Sequence, residues 1–413
     1  MRPLDLAFIR SQFPAFSHPE TGRWVMAENA GGAYAPAQVV DKLYHFMTAT
    51  KVQPYWVSSP SAEAGRAMDR SQALLAAAFN ADQDEIMFGP STSMNTYVLA
   101  HALRAELQTG DEVVVTNQDH EANVGAWRRL ADGNSGIVVR EWGVDPLTGR
   151  LDVKGLEALL NKRTKLVCVT QCSNIAGEIN DVAALARIVH QAGARIAVDA
   201  VSYAPHMIAD VKALGVDFYY CSLYKVFGPH QGLMYVRREH LERMANQGHF
   251  FNKEKLGKRL TPAGPQHGEI ACASGIVDYL EDVGRHHGVE GKTTGDRIRA
   301  TMEAFHLHEC RLANRVLGLL RDKGARIIGP ETAEPHKRAA TIAFVPKRAA
   351  PEAVMTKLAE ARIAIGGGAD FYAHRLIEAV GVDPAKGVAR ISLVHYNDEA
   401  DVDRLLNALE GAL

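Results

Sequence analysis

The chain has 413 residues, 47% of them apolar and 23% charged, a length that exceeds one small core and suits two domains. Lys+Arg number 46 against 48 Asp+Glu, a formal net charge of −2, which leaves no basic excess to drive nonspecific nucleic-acid binding. The longest purely apolar run is Ala73–Phe79, seven residues, where a membrane span needs roughly 18, and Asp5 and Arg10 interrupt the N-terminus where a secretory signal needs an apolar stretch. The expectation is a soluble cytoplasmic protein with neither a membrane nor a nucleic-acid partner.

From about residue 85 to 240, short apolar runs alternate with amphipathic stretches. EVVVT (112–116), GIVVREW (136–142), KLVCVT (165–170), RIAVDA (195–200), DFYYCS (217–222) and GLMYVR (232–237) read as strands, several rich in β-branched residues. Between them, Val182, Leu185, Ile188 and Val189 share one face of a helix that Asp181 caps at its start and Gly193 at its end. Strands alternating with helices predict a mainly parallel sheet covered on both faces. Beyond residue 250 the pattern changes: a helix-rich stretch over 267–322, strands at 340–345, 363–368 and 389–394, and helices near 351–360 and 399–411. The predicted organisation is an N-terminal segment (1–25) packing on the small domain, a large domain (26–260), and a smaller α+β C-terminal domain (261–413) whose 261–290 region bridges the two. Five cysteines in so long a chain are no disulfide framework, and Cys168 and Cys172 have no second Cys/His pair at metal spacing, so they read as buried packing.

In open α/β sheets ligands bind at the carboxyl ends of the strands. At those positions the sequence places Asp199 and Ser202, then Ser222, Tyr224 and Lys225, with Thr92 and Ser93 opening a helix after FGPS, His120 after VVVTNQD and Asn174 after VCVTQCS. A lysine that forms a Schiff base needs a depressed pKa, and a pyridine nitrogen needs a carboxylate to stay protonated. A phosphate suits hydroxyls and free N–H groups at a helix N-terminus, and a flat ring suits an aromatic on its face. Each residue alone has an ordinary structural explanation; together they describe a site for pyridoxal 5′-phosphate (PLP).

The segments FGPSTSMN (88–95), NQDHEANVGAW (117–127), QCSNIAGEIND (171–181), IAVDAVSYAPH (196–206), DFYYCSLYKVFGPHQGLMYV (217–236) and GVARISLVHYNDEADVDRL (387–405) resemble, in order and spacing, the class V aminotransferase group of fold-type I PLP enzymes, which includes the cysteine desulfurases. The resemblance spans about residues 24–411. It implies a fold-type I transferase with a seven-stranded type of sheet in the large domain. It also implies Lys225 as the cofactor-bearing lysine, Asp199 as partner of the pyridine nitrogen and His120 as the ring-stacking residue. Asn174 would contact the ring oxygen or substrate, and Thr92, Ser93 and Ser222 the phosphate. Arg390 would hold the substrate α-carboxylate, for which a guanidinium fork is suited. His267 matches a position that reaches the phosphate of a neighbouring subunit, which implies a homodimer with shared active sites.

The departures from that family are specific. Tyr224 stands where desulfurases carry a histidine before the lysine, and Ser202 where they carry a glutamine. Phe371 falls near the position of the persulfide-forming cysteine, and no cysteine lies within reach in sequence, which argues against a conventional cysteine desulfurase. The resulting expectation is an enzyme that takes a small amino acid through an imine with the cofactor and a Cα carbanion. Transamination comes first among the outcomes, with a lyase or epimerase as alternatives and a catalytically silent member of the fold as the non-enzyme alternative. The substrate pocket is expected to draw on Asn29, Tyr55 and Arg390, with the Gly366–Gly368 run beside them.

Overall fold

A computed structural model describes residues 3–133 and 135–413. The large domain is built on seven strands: β1 (Ile86–Gly89), β2 (Glu112–Thr116), β3 (Val138–Trp142), β4 (Thr164–Thr170), β5 (Arg195–Asp199), β6 (Phe218–Ser222) and β7 (Gly232–Val236). They lie in the order β1-β7-β6-β5-β4-β2-β3. The β2–β3, β2–β4, β4–β5 and β5–β6 pairs are parallel, and β7 runs antiparallel to both β6 and β1. The mainly parallel sheet is therefore present, with an antiparallel insertion near one edge. β1 lies in a stretch that reads from sequence as a loop leading into a helix; four residues are too few to show a period, and pairing with β7 makes the strand. β2, β6 and β7 are buried throughout, as expected of strands covered on both faces.

The predicted helix after β4 forms as Val182–Gln191, with the Asp181 carboxylate accepting from the Ala184 N–H at 3.0 Å and Gly193 at φ 77° ending it. The second sheet joins β8 (Arg326–Ile328), β9 (Thr341–Val345), β10 (Gly366–Ala369) and β11 (Val388–Ser392) in the order β10-β11-β9-β8, antiparallel throughout. A 29-residue helix, Thr294–Asp322, about 43 Å long at 1.5 Å per residue, ties the two halves together. Its first half (Ile298, Met302, Phe305) packs into the core of the large sheet, its second half (Leu312, Val316, Leu320) into that of the small one.

The N-terminal segment touches residues from both halves. Phe13 packs edge-on against Phe227 and Tyr279 and also against Tyr396, while Arg10 pairs with Asp398 and Asp401. Val25–Met26 then pairs in parallel with Ile363–Ala364. Cys168 and Cys172 are buried free thiols in and just after β4. Among the described residues no helix is long and apolar enough to cross a membrane.

Candidate active site

The carboxyl ends of β4, β5 and β6 and the turns after them converge on one cavity of about 180 Å³. Its walls include Thr92, Ser93, His120, Asn174, Asp199, Ser202, Ser222, Tyr224 and Lys225. Nine of the predicted positions thus meet in one place, because strand ends in a parallel sheet lie side by side however far apart they are in sequence.

Lys225 sits in the short turn after β6 and is 7% exposed. Burial, with the Arg390 cation nearby, lowers its pKa to about 8, against the opposing pull of Asp199 and Glu28. Asp199 ends β5; burial raises its carboxyl to about 6, while the Val201 N–H, donating to Oδ1 at 2.8 Å, and the Lys225 ammonium hold it down. His120 caps the helix Glu121–Arg128, its Nδ1 accepting from the Ala122 N–H at 3.0 Å. The ring proton therefore lies on Nε2. Burial, then Lys225 and Arg390, lowers this imidazole to about 3, so it is neutral at working pH.

The opposite wall is a cradle for an anion. Ser91 caps the helix Thr92–Arg104, whose first turn offers free N–H groups. The Thr92 and Ser222 hydroxyls are 2.8 Å apart. Gly232, paired with both Gly89 and Ser222, lets the backbones close: a Cβ there would lie 2.4 Å from the Ser91 carbonyl carbon and 2.7 Å from the Thr92 nitrogen. Asn174 donates through Nδ2 to the Phe371 carbonyl at 2.9 Å, and its Oδ1 is buried without a partner. A buried orphan acceptor, a phosphate cradle, a neutral ring and a carboxylate opposite a half-titrated lysine match the donor set that PLP requires.

Arg390, in the middle of β11, reaches the same region from the small domain and is 3% exposed. It pairs with Glu28, donates through Nη1 to the Asn174 carbonyl at 3.3 Å, and lies 3.8 Å from the centroid of the Phe371 ring. Arg390 stands beside the cavity rather than on its wall, and three other predicted residues are not brought to it. Asn29 is buried and its amide is consumed between domains: Nδ2 donates to the carbonyls of Met26 and Ser392 at 3.0 and 2.8 Å, and Oδ1 accepts from the Tyr396 hydroxyl. Tyr55, at φ 70°, packs its ring on Gly65 and donates to Asp69 Oδ1 at 2.9 Å. His267 begins the helix His267–Cys272, away from this chain's own cavity, where burial and Lys258 lower its pKa. His206 is likewise structural, buried against Glu309 with Nδ1 2.6 Å from Oε2.

The sequence reading missed several members. His230 lines the cavity and stacks on Tyr224 at 4.8 Å with the planes 4° apart. Cys172 lines it too, its thiol pushed up to about 12 by burial. Glu28 stands one residue before the flagged Asn29, and only the fold turns it toward Arg390. His230 follows Lys225 by five residues, within the segment already carrying the lysine, and its spacing was the one available signal.

The family model for class-V aminotransferases matches residues 25–267 and 298–405. Among curated relatives, an aminotransferase-like protein (FGM3) of Gibberella zeae is 34% identical over 98% of both chains. A cysteine desulfurase-like protein (ustD) of Aspergillus flavus is 30% identical over 98% of this chain and 90% of that protein. Among solved structures, the cysteine desulfurase CsdA of Escherichia coli, an S-sulfonic acid form, superposes with a TM-score of 0.83 at 25% identity, covering 100% of this chain and 99% of that one.

Proposed function

Since the chain belongs to the class-V aminotransferase family, whose fold and PLP dependence it shares, we propose that it is an aminotransferase acting on the α-amino group of a small amino acid. The observation that carries this reading is the pair Lys225 and Asp199 in one cavity, the lysine lowered to about 8 and the carboxyl raised to about 6. When bound, the cofactor supplies an electron sink for a carbanion at Cα. Lys225, close to half neutral near pH 8, has the basicity to take the Cα proton and to return it elsewhere. Asp199, ionised above about pH 6, holds the proton on the ring nitrogen. Neutral His120 covers the ring face. Thr92, Ser93 and Ser222 hold the phosphate, Asn174, Ser202 and Tyr224 supply the polar rim of the ring, and Arg390 takes the α-carboxylate.

Sulfur transfer through an enzyme thiol does not suit these residues. All five cysteines are buried, and Cys172 at the cavity is a thiol of pKa about 12; Phe371, by resemblance, falls near the loop position where that chemistry needs a thiolate. A lyase uses the same lysine, carboxylate and cradle, and the desulfurase names of several relatives favour it as the second reading. The absorption spectrum of the PLP-loaded protein, titrated with single amino acids and no keto acid, separates the two. Lasting loss of the yellow band with one equivalent of keto acid marks an aminotransferase. A band that returns while product accumulates marks a lyase or epimerase, and no band on adding PLP overturns both.

The assembly is read as a homodimer with shared sites. Trp56 and Val57 are 68% and 102% exposed, and Phe250 and Phe251 are 83% and 65% exposed, a cost that a covering surface removes. His267, absent from the wall of its own cavity, is then free to serve the neighbour's phosphate. Mixing inactive Lys225→Ala and His267→Ala chains should restore part of the activity through one intact hybrid site; failure to do so counts against sharing.

A further inference from the structure

Resting on the reading of Arg390 as the carboxylate clamp, we infer that Glu28 is the resident occupant of that clamp: its side-chain carboxylate holds the guanidinium until a substrate carboxylate displaces it. Glu28 comes from the segment just after Val25–Met26 and bridges in parallel to Ser392, two residues beyond Arg390. Two glycines seat it. A Cβ on Gly31 would lie 3.2 Å from Glu28 Oε1, and one on Gly366 would lie 3.2 Å from Glu28 Cδ and 2.6 Å from the Phe371 ring.

The pair has the wrong form for a purely structural ion pair. A buried Arg–carboxylate pair repays its desolvation when it is well formed, most often bidentate, with the remaining donors and acceptors satisfied. Here a single guanidinium nitrogen, Nη2, meets Glu28 Oε1, while Arg390 Nε and Glu28 Oε2 are both buried and without partners. A hydrogen bond left unmade in such a place costs the desolvation of the buried group with nothing in return. An incoming carboxylate that takes Nε and Nη2 together satisfies the guanidinium, and Glu28, whose side chain is 20% exposed, has a route toward solvent. Phe371, packed on the face of the guanidinium, confines that exchange to its edge. Glu28 therefore sets the threshold a ligand must exceed: a second carboxylate on the substrate meets its charge, and a monocarboxylate replaces it one for one.

The test uses PLP-loaded enzyme and propionate, a carboxylate with no amine to react, with binding followed by calorimetry. Glu28→Gln should bind propionate roughly tenfold more tightly than the unaltered enzyme, the worth of one charge-assisted hydrogen bond. Glu28→Asp, whose carboxylate falls short of Nη2, should also bind more tightly, and it carries the test should the amide variant not fold. Arg390→Gln should lose propionate binding. If both Glu28 variants bind propionate no better than the unaltered enzyme while Arg390→Gln loses it, Glu28 positions the arginine and does not compete for it; the inference then fails and the clamp reading stands. If Arg390→Gln still binds propionate, the clamp reading fails and the inference with it.

Discussion

Lys225 is held in the fold at a cost, and removing it should make the protein more stable while destroying its chemistry. Its ordinary value of 10.5 falls to about 8 in the folded chain. That difference of about 2.5, at about 1.36 kcal/mol for each, is an electrostatic penalty of about 3 kcal/mol for keeping the ammonium buried. Between about pH 8 and 10.5 the unfolded chain binds a proton that the folded chain lacks, so stability rises with pH across that window. The penalty stands in full below about pH 8 and is gone above 10.5. Lys225→Met keeps an unbranched side chain, one atom shorter, and removes the charge. It also strips Asp199 of the neighbouring cation that lowers its carboxyl, which offsets part of the gain. The expected net is about 2 kcal/mol of added stability at pH 7, measured by urea unfolding of cofactor-free protein, and shrinking toward zero by about pH 10. The same variant should bind PLP without forming a borohydride-reducible adduct. A variant no more stable than its parent at pH 7, or an advantage that does not decline with pH, refutes the account of a strained, charged lysine; a reducible adduct on another lysine refutes its role.

Asp199 should make PLP affinity fall as pH is lowered through about 6, where its carboxylate gains a proton and loses its hold on the ring nitrogen; equilibrium binding between pH 5 and 8 checks this, and a flat profile sinks it. Arg390→Gln should weaken an α-amino acid substrate by about 2 kcal/mol, the low end of the roughly 2–5 kcal/mol for a buried charge pair, because Glu28 already competes for the guanidinium; an unchanged KM places the carboxylate elsewhere. Cys172→Ala should keep at least half the activity, since a thiol at about 12 has almost no thiolate to offer, and a total loss of turnover would revive thiol chemistry.

The chemistry of the large domain was legible because each piece is local. Asp199, Ser222 and Lys225 follow directly from apolar runs whose ends a parallel sheet must align, and Asp181 with Gly193 brackets its helix within thirteen positions. His120 gains meaning from the same rule, since it follows a strand and opens a helix, whereas Thr92 and Ser93 were legible only as the opening of a helix. The order of these motifs, more than any one of them, pointed to the PLP site. β1 escaped notice because four residues hold no period and its partner lies far along the chain.

What only the tertiary structure decided is how the small domain meets that site. Glu28 and Arg390 are 362 positions apart, and nothing in either segment says that one will hold the other. Asn29, beside a carboxylate that does reach the arginine, spends its amide on the domain junction instead, because the chain turns there, with the Gly31 and Gly32 N–H groups donating back to the Glu28 and Asn29 carbonyls. Tyr55 turns away to Asp69, and the Phe371 ring lies over a guanidinium. Strand ends and caps follow from periodicity and local hydrogen bonding; the partner of a buried charge follows from the register of strands that meet only after the chain has closed on itself.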